Sequence, residues 1–273
     1  MRTVAVVLAG GSGVRLGGNT PKQLQLLAGR TLLEHCVAAF DAAPGVDEVL
    51  AVLPADLIGA AKLVLDGRYR KLSGIIPGGV DRPGSTRRAI EHLSALDAGG
   101  PDGNARDGST PDRSGDTADC NVLFHDAARP LVDQRIIADC VAALASAEAL
   151  GVVVPTADTI VEVAGGLMMS IPPRESLGRC QTPQGFRLSV IRRAHELALA
   201  DDDAFTPTDD CGIVLRYLPD VPVMTVRGSE RNLKITYPGD FRIAEALLAE
   251  ALLAEPGPGA DGTRPGPEAG TRP

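Results

Sequence analysis

Short runs of continuously apolar residues alternate along this chain with stretches whose apolar positions recur at helical spacing. Thr3–Ala9 is β-branched and apolar, and an amphipathic helix is predicted near Thr31–Asp41. Glu48–Leu53 then precedes a helix near Asp56–Asp66, Ser73–Pro77 a helical stretch around Ser85–Leu96, and Val122–Phe124 a helix over Asp133–Ala149, with another apolar run at Gly151–Pro155. Strands that are apolar on every residue are those buried on both faces. Repeated βα units therefore predict an α/β, Rossmann-like fold: a mostly parallel sheet with helices on both faces, binding ligands at the carboxyl ends of its strands.

Three segments depart from this rhythm. Residues 97–119 are rich in Gly, Asp, Ser, Thr and Pro and are read as a disordered insertion between a helix and a strand. Residues 254–273, rich in Pro and Gly, read as a disordered tail. Residues 158–182 read as a protruding β-arm: Thr159–Val163 and Leu167–Ile171 flank Gly165-Gly166 in a hairpin pattern. Its edges would be exposed, and pairing with a second copy would cover them, so a homodimer is expected. Residues 1–253 are otherwise read as one domain.

The apolar runs are strand-length, too short to span a membrane, and the N-terminus lacks the three-part pattern of a signal peptide. Five scattered cysteines without a C-x-x-C pair suit reduced thiols in the cytoplasm. A net charge of −8 argues against nucleic acid as a partner, although the 97–119 segment alone carries six Asp against Arg106 and Arg113. The remainder can build a locally basic pocket for an anion.

Candidate chemistry begins where the first strand ends. Gly10-Gly11-Ser12-Gly13, followed by Arg15 and by Pro21-Lys22, offers exposed backbone N–H groups, no Cβ to obstruct a close ligand, and two cations. It is not a Walker A loop, which needs Gly-Lys-Ser/Thr. Nor is it a dinucleotide fingerprint, because Gly11-x-Gly13 is followed by Leu16 one residue before Gly17.

Four further clusters follow. Gly78-Gly79 with Arg82 and Ser85 forms a second glycine turn, or simply a helix start. His125-Asp126-Ala127-Ala128-Arg129-Pro130 sets a carboxylate at a strand end, where Asp126 suits either Mg²⁺ or a helix cap; Arg129 would pair with it or with another acid. His125, with no second ligand at metal spacing, reads as structural. Arg174, Arg179, Thr182 and Gln184 would complete a partner's site if the arm crosses to it, and otherwise form a polar surface loop. Thr208-Asp209-Asp210, with Thr208 as a possible helix cap, precedes Asn232-Leu233-Lys234-Ile235-Thr236, where Lys234 lies in what reads as a short apolar strand. No nucleophile elbow or zinc motif occurs. The chemistry suggested is charge stabilisation of phosphates.

In this order, L-A-G-G-S-G-V-R-L…P-K-Q, G-G-x-x-R-x-x-S, H-D-A-A-R-P, T-P-Q, T-D-D and N-L-K-I-T resemble the 2-C-methyl-D-erythritol 4-phosphate cytidylyltransferase family, from Thr3 to about Glu250. The resemblance implies transfer of CMP from CTP to the substrate's phosphate, with release of pyrophosphate, in non-mevalonate isoprenoid precursor synthesis. It implies that Arg15, Lys22 and Lys234 are catalytic, and that Ala9, Gly10, Gly11, Gly13, Gly79, Ser85 and Ala127 line the nucleotide site. Asp126 would hold Mg²⁺. Thr208 and Lys234, with Arg174 and Thr182 from a partner subunit, would bind methylerythritol phosphate. Leu16 stands where the family often has Met, and the length leaves no room for a fused second enzyme. Two alternatives remain: a relative acting on another polyol phosphate such as ribitol 5-phosphate, and a non-catalytic nucleotide-binding regulator. Ala128 favours the first identity over the ribitol relatives, which commonly carry Val there.

Overall fold

The computed structural model describes residues 1–11, 20–97, 119–201 and 207–254. Gly13 and Arg15, nearly all of the expected 97–119 insertion, and the tail from 255 onward lie outside the described residues.

The chain runs β1 (Thr3–Leu8), β2 (Leu26–Leu27), β3 (Arg30–Thr31), α1 (Leu32–Ala42), β4 (Glu48–Leu53), α2 (Ile58–Leu65), β5 (Leu72–Pro77), α3 (Arg82–Asp97) and β6 (Asn121–Asp126). It continues through α4 (Gln134–Ala143), β7 (Ala149–Pro155), β8 (Glu162–Ala164), β9 (Leu167–Ser170), β10 (Gly178–Arg187), α5 (Leu188–Ala200), α6 (Asp210–Tyr217), β11 (Val223–Arg227) and α7 (Pro238–Ala254). Seven strands form one sheet in the order β11-β7-β10-β6-β1-β4-β5. β10 is antiparallel to both its neighbours; every other pairing in that sheet is parallel. The expected mostly parallel α/β sheet is what forms.

The apolar runs account for the layers. Along β1, Ala5 and Val7 point to one face and Val4, Val6 and Leu8 to the other, all buried. The first face is covered by α1, α2 and α4 through Val37, Phe40, Leu65 and Ile136; the second by α3, α5 and α6 through Ile90, Ile191 and Val214. Thr31 starts α1 with a full capping box: its hydroxyl accepts from the Glu34 amide, and the Glu34 carboxylate accepts from the Thr31 amide. A third cluster seats α7 through Ala244 against Leu27, Leu32 and Ile235. Among the described residues no helix is long and apolar enough to cross a membrane.

Topology places the site. From β1 the chain moves outward to β4 and β5, then crosses back to β6 on the other side of β1. The strand order therefore reverses between β1 and β6, and open α/β sheets bind ligands in the crevice outside the carboxyl ends of the strands at such a point.

Several expected boundaries shift. α4 ends at Ala143, not Ala149, because Ala149 pairs with both Phe186 and Val223 as the first residue of β7; tertiary pairing overrides the helical propensity of an alanine-rich stretch. The arm is shorter than 158–182. Its hairpin is β8 and β9, joined through Gly165 and Gly166 at φ 56° and 78°, values that suit glycine in a tight hairpin turn. From Gly178 onward the chain is already a strand of the main sheet. Lys234 lies in an irregular segment, not a strand; the Ile235 amide donates to the Ala128 carbonyl at 2.8 Å, tying this segment to the loop after β6.

Candidate active site

Two glycine turns meet at the mouth of the crevice. After β1, the Ala9 amide donates to the Val52 carbonyl and the chain passes through Gly10 and Gly11. After β5 it passes through Gly78 and Gly79 into α3. Ser85, buried on the first turns of α3, holds the second turn in shape: its hydroxyl donates to the Asp81 carbonyl (2.9 Å) and accepts from the Gly79 amide (3.2 Å). A Cβ on Gly10 or Gly78 would lie 3.0 or 2.7 Å from that hydroxyl. The Ser85 hydroxyl is thus committed to the protein's own backbone, and it shapes the rim.

Gly79 is the most constrained of these glycines. A Cβ there would sit 2.5 Å from the Gly84 carbonyl carbon, a backbone atom that cannot swing aside, whereas a Cβ on Gly11 would meet nothing within 4 Å. Gly79→Ala is therefore expected to lower the urea unfolding free energy by about 1–3 kcal/mol. Gly11→Ala should leave it nearly unchanged in the same titration.

Asp126 ends β6 and is the electrostatic centre of the crevice. Lys234 Nζ lies 2.7 Å from its Oδ2 and Arg82 Nε 3.2 Å from its Oδ1. Burial by itself would raise the carboxyl's pKa, but the charges of Arg82 and Lys234 outweigh it and hold Asp126 well below the usual carboxylate range. Arg82 also reaches, through Nη1 at 2.8 Å, the fully buried Asp210 at the start of α6. Burial opposes the charge on Asp210 too, and Arg82 again prevails, so both acids are ionised and bracket one guanidinium. His195 Nε2 stands 3.7 Å from the other oxygen of Asp210.

The second lysine arrives from the opposite direction. Lys22, in a short turn after the first glycine loop, donates from Nζ to the Ile235 carbonyl, next to Lys234. Lys22, Lys234 and Arg82 thus face a crevice containing two carboxylates, one of them wholly internal. That balance favours an incoming polyanion.

The positions around Asp126 are set by neutral groups. Burial pushes the His125 imidazole down to about 4, so it is neutral at physiological pH. Among the described residues Arg129 pairs with no acid: its guanidinium donates to the carbonyls of Asn232 (2.8 Å) and Cys180 (3.4 Å). Gln184 accepts from the amides of Asp210 (3.0 Å) and Cys211 (3.3 Å), satisfying two otherwise orphaned donors at the start of α6. The cap of that helix is Asp209, which accepts from the Gly212 amide at 2.8 Å. Thr208 is therefore exposed beside the cap and is not the cap itself.

Of the predicted site residues, Ala9, Gly10, Gly11, Lys22, Gly79, Ser85, Asp126, Ala127 and Lys234 come from loops and strand ends that converge on this crevice. Thr182 also lies there, but within its own chain: it is buried beside Asp126, contrary to its expected delivery by a partner subunit. Arg174 is different. Its one side-chain hydrogen bond among the described residues goes to Thr159, 3.1 Å away at the base of the arm. Sequence reading placed Arg82 and Asp210 in candidate clusters without giving either a role, and it missed His195. Arg82 carried a usable signal, a cation one turn from a glycine pair at a helix start. Asp210 stood in the Thr208-Asp209-Asp210 cluster, but only the fold buries it against Arg82.

Can these residues hold a divalent cation? Among the described residues no three His, Cys, Asp or Glu side chains cluster as a protein-only metal site. Asp126 alone fits the Mg²⁺ mode in which one carboxylate and substrate phosphates share the ion.

A glycine-walled crevice at the sheet's switch point, with lysines gathered round one carboxylate, defines the class: an α/β protein built to hold nucleotide phosphates. Comparison with known proteins gives the particular family. The family profile described as 2-C-methyl-D-erythritol 4-phosphate cytidylyltransferase matches residues 3–98 and 114–250, skipping most of the acidic insertion. The cytidylyltransferase of that name from Thermobifida fusca is 48% identical over 253 residues, covering 90% of this chain and 93% of its own. The one from Bifidobacterium longum is 38% identical over 258 residues, covering 93% and 82%. The crystal structure of the Thermus thermophilus enzyme superposes with a TM-score of 0.64 at 29% identity, covering 89% of this chain and 98% of that one. The chain belongs to the 2-C-methyl-D-erythritol 4-phosphate cytidylyltransferase family, and so to the nucleotidyltransferases.

Proposed function

We propose that the protein transfers the cytidylyl group of CTP to the phosphate of 2-C-methyl-D-erythritol 4-phosphate, forming 4-diphosphocytidyl-2-C-methyl-D-erythritol and pyrophosphate. A phosphate oxygen of the substrate attacks the α-phosphorus, a new P–O–P bond forms, and the bond to the β-phosphate breaks. The nucleophile is already anionic, so no strong general base is needed; positioning and charge stabilisation carry the reaction. The observation that carries this reading is the pairing of Lys234 with Asp126 at 2.7 Å, beside Lys22, at the crevice between β1 and β6.

Lys22 and Arg15 are assigned to the triphosphate, and Lys234 to the α-phosphate and the incoming phosphate together. Ala9, Gly10, Gly11, Gly13, Gly79 and Ala127 form the nucleotide wall, with Ser85 as its brace. Asp126 would hold Mg²⁺, which when bound supplies positive charge against the triphosphate. The exposed Thr208 is assigned to the polyol phosphate. Arg174 would join it from a second copy. Exposed Val163, Leu167, Met168 and Met169 on β8 and β9 support a homodimer formed through this arm. None of the five cysteines is joined in a disulfide, which supports a cytoplasmic setting.

The deciding experiment is pyrophosphate release with Mg²⁺, CTP or UTP, and a panel of polyol phosphates. Turnover is expected with CTP and methylerythritol phosphate. A folded protein that releases no pyrophosphate from this pair overturns the reading, and preference for ribitol 5-phosphate moves the substrate to another polyol. CTP binding without turnover on any polyol phosphate would make the protein a regulator.

A further inference from the structure

Thr182 stands where the strand ladder fails. β10 pairs with β6 antiparallel from Gln184 opposite Phe124 to Arg187 opposite Asn121. Continuing that register by two residues sets Thr182 opposite Asp126, but backbone pairing has already stopped at Gln184. The Asp126 amide instead donates to the Thr182 hydroxyl at 3.1 Å. A side chain has taken the place of a ladder carbonyl.

The rest of the wiring has one consistent direction. His125 Nε2 lies 3.0 Å from the Arg129 carbonyl, an acceptor only, so Nε2 carries the imidazole's proton. Among the described residues Thr182 Oγ1 has one hydrogen-bond partner besides the Asp126 amide, His125 Nδ1 at 3.0 Å, so its single proton goes there and Nδ1 accepts it. Phe40 packs edge-on against the same ring at 5.1 Å and fixes its plane. On the other side, the Asn232 side-chain amide donates to the Thr182 carbonyl at 2.9 Å, while the Asn232 carbonyl accepts from Arg129 Nη1 at 2.8 Å. The bonds close on themselves. They run from the Asp126 amide through Thr182 to His125, from His125 to the backbone of Arg129, from the Arg129 guanidinium to Asn232, and from Asn232 back to Thr182. Asn232 lies two residues from Lys234, so both members of the Asp126–Lys234 pair hang from this ring.

We infer that Thr182 is a positioning residue of its own subunit's active site, whose hydroxyl and carbonyl together set the placement of Asp126 against Lys234 through His125 and Asn232. Its one proton goes to His125, so it has none left to donate to the substrate's phosphate, whose oxygens need donors. The inference rests on the cytidylyl transfer proposed above, but its structural half can be measured without turnover.

The test compares Thr182→Val, which keeps shape and loses the hydroxyl, with Thr182→Ser, which keeps the hydroxyl. Pyrophosphate release by the unaltered protein comes first; if that fails, the functional reading fails, and the tautomer measurement below still decides the wiring. Thr182→Val is expected to lower kcat by between about 10- and 100-fold, as small misplacements of reacting groups do, with KM for the polyol phosphate within about twofold. Thr182→Ser should restore most of kcat. A rise in KM for the polyol phosphate with kcat retained overturns the inference and makes Thr182 a substrate ligand. Should Thr182→Val fail to fold, nitrogen NMR of His125 in the unaltered protein decides alone. A protonated Nε2 and a hydrogen-bonded, unprotonated Nδ1 support the ring, and a protonated Nδ1 overturns it.

Discussion

Lys22→Ala is expected to reduce kcat for pyrophosphate release by roughly 10²-fold or more, the scale for removing one preorganised donor from a developing charge. Two physical losses contribute. One is the ammonium itself, held at the crevice mouth by a rigid turn in which Gln23 is buried. The other is the bond from Nζ to the Ile235 carbonyl, which braces the segment carrying Lys234. Lys22→Arg separates the two, since it keeps the charge but replaces a compact ammonium with a planar fork of different reach. Partial recovery in Lys22→Arg would assign most of the loss to charge. Steady-state kinetics at saturating CTP provide the measurement; a change confined to KM for CTP, with kcat intact, would show that Lys22 only binds. Thermal unfolding should change little, because truncating the partly exposed Lys22 leaves Ile235 packed against Leu27, Leu32 and Ala244.

The larger effect on stability is expected from Arg82→Gln. Asp126 and Asp210 are both buried and both ionised because Arg82 lies between them. Removing the guanidinium leaves Asp126 with Lys234, but leaves Asp210 with His195 at 3.7 Å and the Thr86 side chain in place of a guanidinium. Breaking a buried pair from one side costs about 3–5 kcal/mol, because the surviving charge has lost its compensation. The sign of the pH dependence follows from the direction of the shifts. Both carboxyls titrate below their unfolded value of about 3.9, so in acid the unfolded chain binds more protons than the native one. Their contribution is fully present above that value and is lost as pH falls through the native pKa values. The gap in unfolding free energy between the unaltered protein and Arg82→Gln should therefore be widest near neutrality and narrow below about pH 4. Urea titrations at several pH values measure it. A gap that stays constant as pH falls would mean that Arg82 acts through packing and not through its charge.

Local patterns carried much of this fold. Continuous apolar strands, alternating with amphipathic helices, were enough to place the first half of the sheet, because burial on both faces leaves an unbroken apolar run within β1, β4 and β6. The second half was less legible. β10 begins with Gly178, Arg179, Cys180 and Gln181, which look like a surface loop, yet it lies between β6 and β7. Its polar residues face other polar groups: Gln181 accepts from the Asn232 side chain, and Gln184 from the start of α6. Buried polar residues satisfied by distant partners have no periodic signature, and a reader of sequence assigns them to solvent. Lys234 was misassigned to a strand for the converse reason. Its apolar neighbours Leu233 and Ile235 resemble a strand, but Ile235 fills a small cluster with Leu27, Leu32 and Ala244 instead of pairing in a sheet.

What the sequence determined on its own was the inventory and its rough address: glycines that permit close approach after β1 and β5, a carboxylate at the end of β6, and lysines at positions 22 and 234. These are local properties, set by the absence of a Cβ, by the point where an apolar run stops, and by the charge of a side chain. Which charges meet was decided only by the tertiary structure. Arg82 and Lys234 stand 44 and 108 residues from Asp126, and Asp210 is drawn to Arg82 from farther still along the chain. An ion pair at this crevice depends on distances of a few ångströms between side chains brought together by crossover connections. No local pattern encodes such a distance; the sheet order, with β6 returning beside β1, does.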